Sequence, residues 1–517
     1  MKTLMSILLT SLLYSWLLAQ ESTISEGAKT ITLDELRDHI YYLASDELEG
    51  RFPGTPGFEK AQEYIVTQLR QAGLSPVWKT NNSTLSYFQD IRINKYSPVP
   101  ENRITISKND DEHMFSLEND FIISYGGPYD TKELYGGLAF VGTGIKEPDY
   151  GIDDFKKIDL RGKWAVVSDL GGTLPKVIEN KLSQDVLKKY GSSTEKLRII
   201  EQNVKEAGAI GIINIPSTFN PNIWNRNSLR GHYQYSLTEI GLNSRKTSLC
   251  RVMIDSSMAE YLFHGEVYNP INDKGPFKTF EFKNSKLRLH KEYSLSYINS
   301  SNILAWIEGS DPILKNEYIT LGAHLDHYGI QNNQVMNGAN DNASGCAGIL
   351  EIVEALAKSK LKRSVICIFY TKEEGGLFGS YYFTENPPVP LENIIVNINL
   401  DMIGCSETNA KGLAPIAANR ITPKLKDLIS NVNNKKDHIL LDWEYAEKGI
   451  SNNSGSDHFP FHLKKIPAVY FNNGDDAGYH KPSDAPDKIN YAFFQKNCQL
   501  IYEIVLELAN GDNSLKD

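Results

Sequence analysis

A few short segments between residues 322 and 484 concentrate the side chains able to ligate a cation or move a proton. They are Gly322-Ala323-His324-Leu325-Asp326-His327, the loop Asn340-Asp341-Asn342, the pair Glu373-Glu374 before Gly375-Gly376, Asp401 after Ile394 to Leu400, Ser454-Gly455-Ser456-Asp457-His458, and Gly478-Tyr479-His480. Alternate side chains of an extended segment share a face, so His324 and Asp326 lie together, and Asp326 can accept the second ring N–H of a ligating His324. His327 then faces away and reads as structural. Asp341 would cap the following helix if it had no other task. Successive side chains of Glu373-Glu374 diverge, so one can bind a cation while the other serves as general base. Each segment alone has a mundane explanation. Two imidazoles and three carboxylates, with an orienting Asp and a spare Glu, specify a site together.

The elements that must position these residues are strands. Tyr318 to Ala323, Val365 to Tyr370, Ile394 to Leu400 and Ala468 to Asn472 are short apolar runs, and a helix is expected from about Ala343 to Lys358. The ligand candidates stand where these strands end, which is where open α/β sheets form ligand sites. Imidazole and carboxylate without Cys suit catalytic zinc, with manganese or cobalt as substitutes. Five protein ligands, two imidazoles and three carboxylates, exceed the usual three for one catalytic zinc. Two ions with one bridging carboxylate fit better, at a typical separation of roughly 3.5–4 Å.

These motifs, in this order, resemble the dizinc exopeptidases of metallopeptidase family 28, over about Asn302 to Leu508. Leu43-Ala44-Ser45-Asp46 and Gly50-Arg51 are similar to that family's N-terminal region. The resemblance implies a three-layer α/β/α domain with a predominantly parallel mixed sheet. It implies that His324 and Asp401 bind one Zn2+, Glu374 and His480 a second, and Asp341 bridges them, with Glu373 as general base and Asp326 supporting the first His. His458 is the candidate oxyanion-stabilising residue. Cys405 stands where many members carry Arg, and Lys372 where Gly is usual before the Glu pair, so the substrate pocket is expected to differ in shape. Asp442, Trp443, Glu444 and Glu447 precede the Ser456 loop without an Arg to grip a substrate carboxylate, which favours an aminopeptidase over a carboxypeptidase or dipeptidase. A glutaminyl cyclase is disfavoured because it uses one zinc, and an inactive receptor-like ectodomain because such relatives lose ligands.

Around this region, the 517-residue chain is long enough for several domains. Residues 1–20, Lys2 followed by the apolar run Leu4 to Ala19, have the make-up of a secretion signal, so an exported chain, secreted or periplasmic and free of the membrane after cleavage, is expected. Residues 28–124 are assigned to the N-terminal part of the peptidase domain and 294–512 to its catalytic part. Between them, 125–293 is β-rich and resembles an inserted protease-associated domain, carried by Gly162-Lys163-Trp164-Ala165-Val166-Val167 and Ala207-Gly208-Ala209-Ile210-Gly211. A net charge of −10 argues against a nucleic-acid partner, which requires a basic face; peptides as substrates are what the family resemblance implies. The sequence carries no signal for an oligomeric state. Five Cys in an exported chain are few, and Cys346, Cys367 and Cys405 sit in apolar contexts that predict buried thiols.

Overall fold

The computed structural model describes residues 24–515 except 110, 126–130, 169–173, 191–192, 217–233, 238, 241–248, 267, 271–277, 405–411, 436–438, 449–454, 475–476 and 513–514. The expected leader, Cys405 and Ser454 therefore lie outside the described residues. The chain divides into two compact units, one formed by residues up to Ile91 together with Asn299–Asp517, the other by Arg92–Ile298.

The first unit is built on a mixed sheet whose four central strands are Ser364–Tyr370, Tyr318–His324, Ile394–Leu400 and Ala468–Asn472 in spatial order, all parallel. Tyr293–Ile307 and Ala414–Ile416 flank them antiparallel. All seven residues of each of the first three central strands are buried, as strands covered on both faces require. Alternation sorts their side chains into two cores. Val365, Cys367 and Phe369 pack with helices Leu33–Leu43, Gly345–Ala357 and Tyr491–Asn510, while Ile366, Ile368 and Tyr370 pack with Phe383 and Phe461 on the opposite face. The expected three-layer α/β/α architecture is what forms, and the predicted strands and central helix match the observed ones to within about two residues.

The order of the central strands explains why the site is where it is. From Tyr318–His324 the chain turns to one side to form Ser364–Tyr370, then crosses back to form Ile394–Leu400 on the other. The strands ending at His324 and Leu400 therefore flank the point where the winding reverses, and crossover connections leave a crevice between them.

The second unit contains an eight-stranded sheet in the order Asp111–Ser116, Arg103–Lys108, Phe280–His290, Glu133–Phe140, Lys163–Ser168, Gly211–Ile215, Cys250–Ile254 and Phe121–Tyr125. The sequence places the start of this region at Tyr125, whereas the compact unit begins at Arg92. The strands at 103–108 and 111–116 complete one edge by pairing through Phe280–His290, and 121–125 completes the other against Cys250–Ile254. Their short alternating runs gave no compositional break from the preceding segment. Cys250, Cys346, Cys367 and Cys498 are free and buried, and burial raises the thiol pKa of Cys346 and Cys367 to about 12, as inert structural thiols require.

One cation ties the N-terminal segment to the crevice. Arg51, 1% exposed, donates from Nε to Leu325 O, from Nη1 to Leu43 O and Asn337 O, and from Nη2 to Gly338 O. Its own backbone carbonyl accepts from His327 N. Only a planar fork of five donors can serve carbonyls on three separate segments at once. Gly50 makes room for it: at φ +68°, a Cβ there would lie 2.5 Å from Met336 O. Truncation of Arg51 leaves four carbonyls short of a charged donor, so Arg51→Ala is expected to destabilise the first unit by about 3–5 kcal/mol. Arg51→Lys should recover little of it, as read from the thermal unfolding transition by calorimetry.

Candidate metal centre

Three imidazoles and three carboxylates meet at the crevice. His324, the last residue of its strand, places Nε2 3.2 Å from Asp401 Oδ1 and 3.4 Å from Asp341 Oδ1. The other oxygen of Asp341, Oδ2, lies 3.1 Å from His480 Nε2, and His480 Nε2 is 3.5 Å from Glu374 Oε2. Asp341 thus offers one oxygen to each of two donor groups, one with His324 and Asp401, the other with Glu374 and His480. The structure brings together all five residues expected to be ligands, in the expected pairs.

The hydrogen-bonding logic fits a cation between these groups. His324 Nδ1 is 3.1 Å from the carbonyl oxygen of Asp326, which can only accept, so Nδ1 carries the ring hydrogen. The lone pair of Nε2 is then left facing two carboxylate oxygens, an arrangement that demands a proton or a metal ion there. Bonds of about 2.0–2.1 Å place neighbouring donors of a tetrahedral zinc about 3.3 Å apart, close to the separations found. Protons report the same field. Burial works to lower the His324 pKa, but Asp401 and Glu373 hold it well above its ordinary value. Asp341 has its pKa raised by burial yet is held well below the usual range by His324 and His480. Burial, then the charge of Asp341, pushes Glu374 up to about 8, and burial pushes Glu373 well up.

Polar neighbours fix each carboxylate. Ser456 Oγ donates to Asp401 Oδ2 at 2.7 Å and accepts from Asn399 Nδ2 at 2.8 Å, so the remaining oxygen of Asp401 is the one turned to His324. The Asp341 loop is held from outside by the Asp484 carboxylate, which accepts from the backbone N–H of Asn340 and Asp341 at 2.8 and 3.0 Å. Within the loop, Asn342 Oδ1 accepts from Gly345 N and Met402 N, and Asn340 Oδ1 from Gly404 N. Asn342, not Asp341, therefore supplies the helix-capping bond, and Asp341 is free to face the crevice. The sequence signal for these residues was their place beside the ligands, but not which side chain would turn inward.

Three expectations change. Asp326 supports His324 through its backbone carbonyl; its carboxylate instead accepts from the backbone N–H of Glu373 and Glu374 at 3.0 and 3.3 Å. The strand ends at His324, so alternation no longer puts Asp326 beside that ring, and the acid instead fixes the loop carrying the Glu pair. His458 is fully buried, stacked on Tyr470 with centroids 5.2 Å apart and edge-on to His462, and the charged groups acting on its ring are His462 and Arg420, not the carboxylates. It opens the short helix Phe459–Leu463, whose Phe461 enters the core and carries the His458 ring inward, so the geometry does not supply an oxyanion donor there. His327, expected to be structural, is fully buried with Nδ1 2.8 Å from Glu374 Oε1. Lys372 adopts φ +54°, as a Gly would, and donates to Glu374 O at 3.0 Å from over the Phe52 ring, so the usual Gly is replaced without displacing the ligand.

Residues 302–505 match the model of Peptidase family M28. Aminopeptidase YwaD of Bacillus subtilis is 27% identical over 196 residues, 35% of this chain and 39% of its own length. Leucine aminopeptidase 2 of Trichophyton rubrum is 36% identical over 104 residues, 20% of this chain and 19% of its own length. The chain thus spans well under two thirds of these relatives. Two solved structures share the fold: an aminopeptidase from Aneurinibacillus sp. strain AM-1, with a TM-score of 0.57, 19% identity and coverage of 95% of this chain and 97% of that one, and BSAP, a zinc aminopeptidase from Bacillus subtilis, with 0.53, 20%, 93% and 97%. The matched stretch, residues 302–505, holds every ligand candidate.

Proposed function

We propose that the protein is an exported zinc aminopeptidase that removes the N-terminal residue of peptides with two metal ions, one on each side of Asp341. The observation that carries this reading is the bridging position of Asp341, with one oxygen toward His324 and Asp401 and the other toward His480 and Glu374. Zinc bound there would supply an acidified water and a positive charge facing the scissile carbonyl. The chain's own residues perform the rest. Glu373, anchored by its backbone N–H to Asp326, takes a proton from the attacking water and returns it to the leaving amine. A free substrate α-amine is taken up at the metal pair or by a neighbouring carboxylate, which confines cleavage to the first residue. Tyr328 and Tyr479, both packed on the His480 ring, offer an aromatic wall that favours an apolar first side chain.

Export rests on the apolar run Leu4 to Ala19 after Lys2. The unit Arg92–Ile298 is proposed to be the protease-associated module that its Gly-punctuated strands resemble.

Activity on aminoacyl substrates is expected to disappear with a chelator and return with zinc, and N-acetylated peptides should resist cleavage. Equal hydrolysis of acetylated and free peptides would contradict the assignment. Glu373→Gln is expected to lower kcat by about 10²–10⁴ with the metal content retained, checked by steady-state kinetics beside elemental analysis. Ser456→Ala frees one oxygen of Asp401, and a loss of about 10–100-fold in metal affinity is expected with the fold intact, measured by competition with a chromophoric chelator.

A further inference from the structure

His327 is buried at 0% exposure, and neither ring nitrogen has a hydrogen-bond partner; the same is true of Glu374 Oε1. Yet His327 Nδ1 and Glu374 Oε1 are 2.8 Å apart. A pair this close without an aligned N–H bond is repulsive unless both lone pairs converge on a third body. His327 Nδ1 is also 4.0 Å from Asp341 Oδ2, the oxygen that faces His480. The donor atoms of His327, Asp341 and Glu374 all fall within 4.8 Å of one another.

The ring is held in place independently of any ion. Gly338 passes so close that a Cβ there would lie 2.7 Å from His327 Cδ2 and Cγ, and Arg51 fixes both Gly338 O and, through its own carbonyl, His327 N. Tyr328 packs edge-on against the ring at 5.0 Å.

We propose that His327 is a metal ligand, sharing the second metal position with Asp341, Glu374 and His480. The inference rests on the metallopeptidase reading and makes the centre asymmetric. Four protein donors close the second position, as in structural zinc sites, whereas His324, Asp341 and Asp401 leave a place open at the first, as in catalytic ones. The ion at the second position is held more tightly.

The test is zinc titration of the full chain, stripped with chelator, against a chromophoric competitor, with the thermal transition followed in parallel. The wild-type chain is expected to take two equivalents, one of them bound at least about 100-fold more tightly. His327→Ala and His327→Gln are both expected to weaken that tight equivalent by about 100-fold and leave the other unchanged. Retention of the tight equivalent by either variant overturns the proposal; retention by the Gln variant alone makes His327 a hydrogen-bonding support for Glu374. In the wild-type chain loaded with cobalt(II), three shifted imidazole N–H resonances are expected, and two would overturn the proposal without recourse to a variant. A wild-type chain that binds no zinc would fail the metallopeptidase reading itself.

Discussion

The centre is organised by an excess of negative charge where water is scarce. Asp341, Glu374 and Asp401 are each less than about a tenth exposed and converge on shared imidazoles, and Glu373 is on the same loop as Glu374. Like charges at such separations cannot all remain ionised unless cations sit among them. The opposing proton affinities of Asp341, held low, and Glu374, pushed up to about 8, express that unrelieved repulsion. Two dications would satisfy it, and the formal charge of −10 then overstates the negativity of the loaded protein.

Much of the fold is explained by the need to hold these carboxylates against their repulsion. Parallel strands bring His324 and Asp401 to the same edge at the reversal of the winding. Small polar residues then stitch the loops together: Asn342 bonds Leu400, Met402 and Gly345, Ser344 bonds Ile403, and Asp484 holds the backbone of Asp341. Each bond fixes a backbone or frees a specific carboxylate oxygen, and such supports normally tune a metal site as strongly as its ligands. Arg51 closes the arrangement from the N-terminal segment, which explains why residues nearly three hundred positions upstream belong to the same unit.

The strands, the central helix and the convergence of the five ligand candidates were legible because each stands on or beside a local signal. Apolar runs of strand length mark the sheet, and polar residues at their ends mark the crevice. What escaped depends on where a chain stops being regular. Alternation placed Asp326 beside His324, but the strand ends at His324, so the Asp326 carboxylate turns to the Glu373 and Glu374 amides. The same break brings His327 to Glu374, where strand periodicity would have sent it away. The inward turn of His458 follows from Phe461 entering the core, a tertiary choice with no sequence marker. The start of the second unit was hidden because the strand at 103–108 finds its partner in Phe280–His290 about 180 residues later, and the strand at 111–116 joins the sheet only through 103–108.

The central claim, two cations bridged by Asp341, is tested most directly by anomalous X-ray diffraction at the zinc edge on crystals of the zinc-loaded full chain. The account predicts two peaks, one beside His324 and Asp401 and one beside Glu374 and His480, with Asp341 between them. A single peak, or none in the crevice, would contradict it.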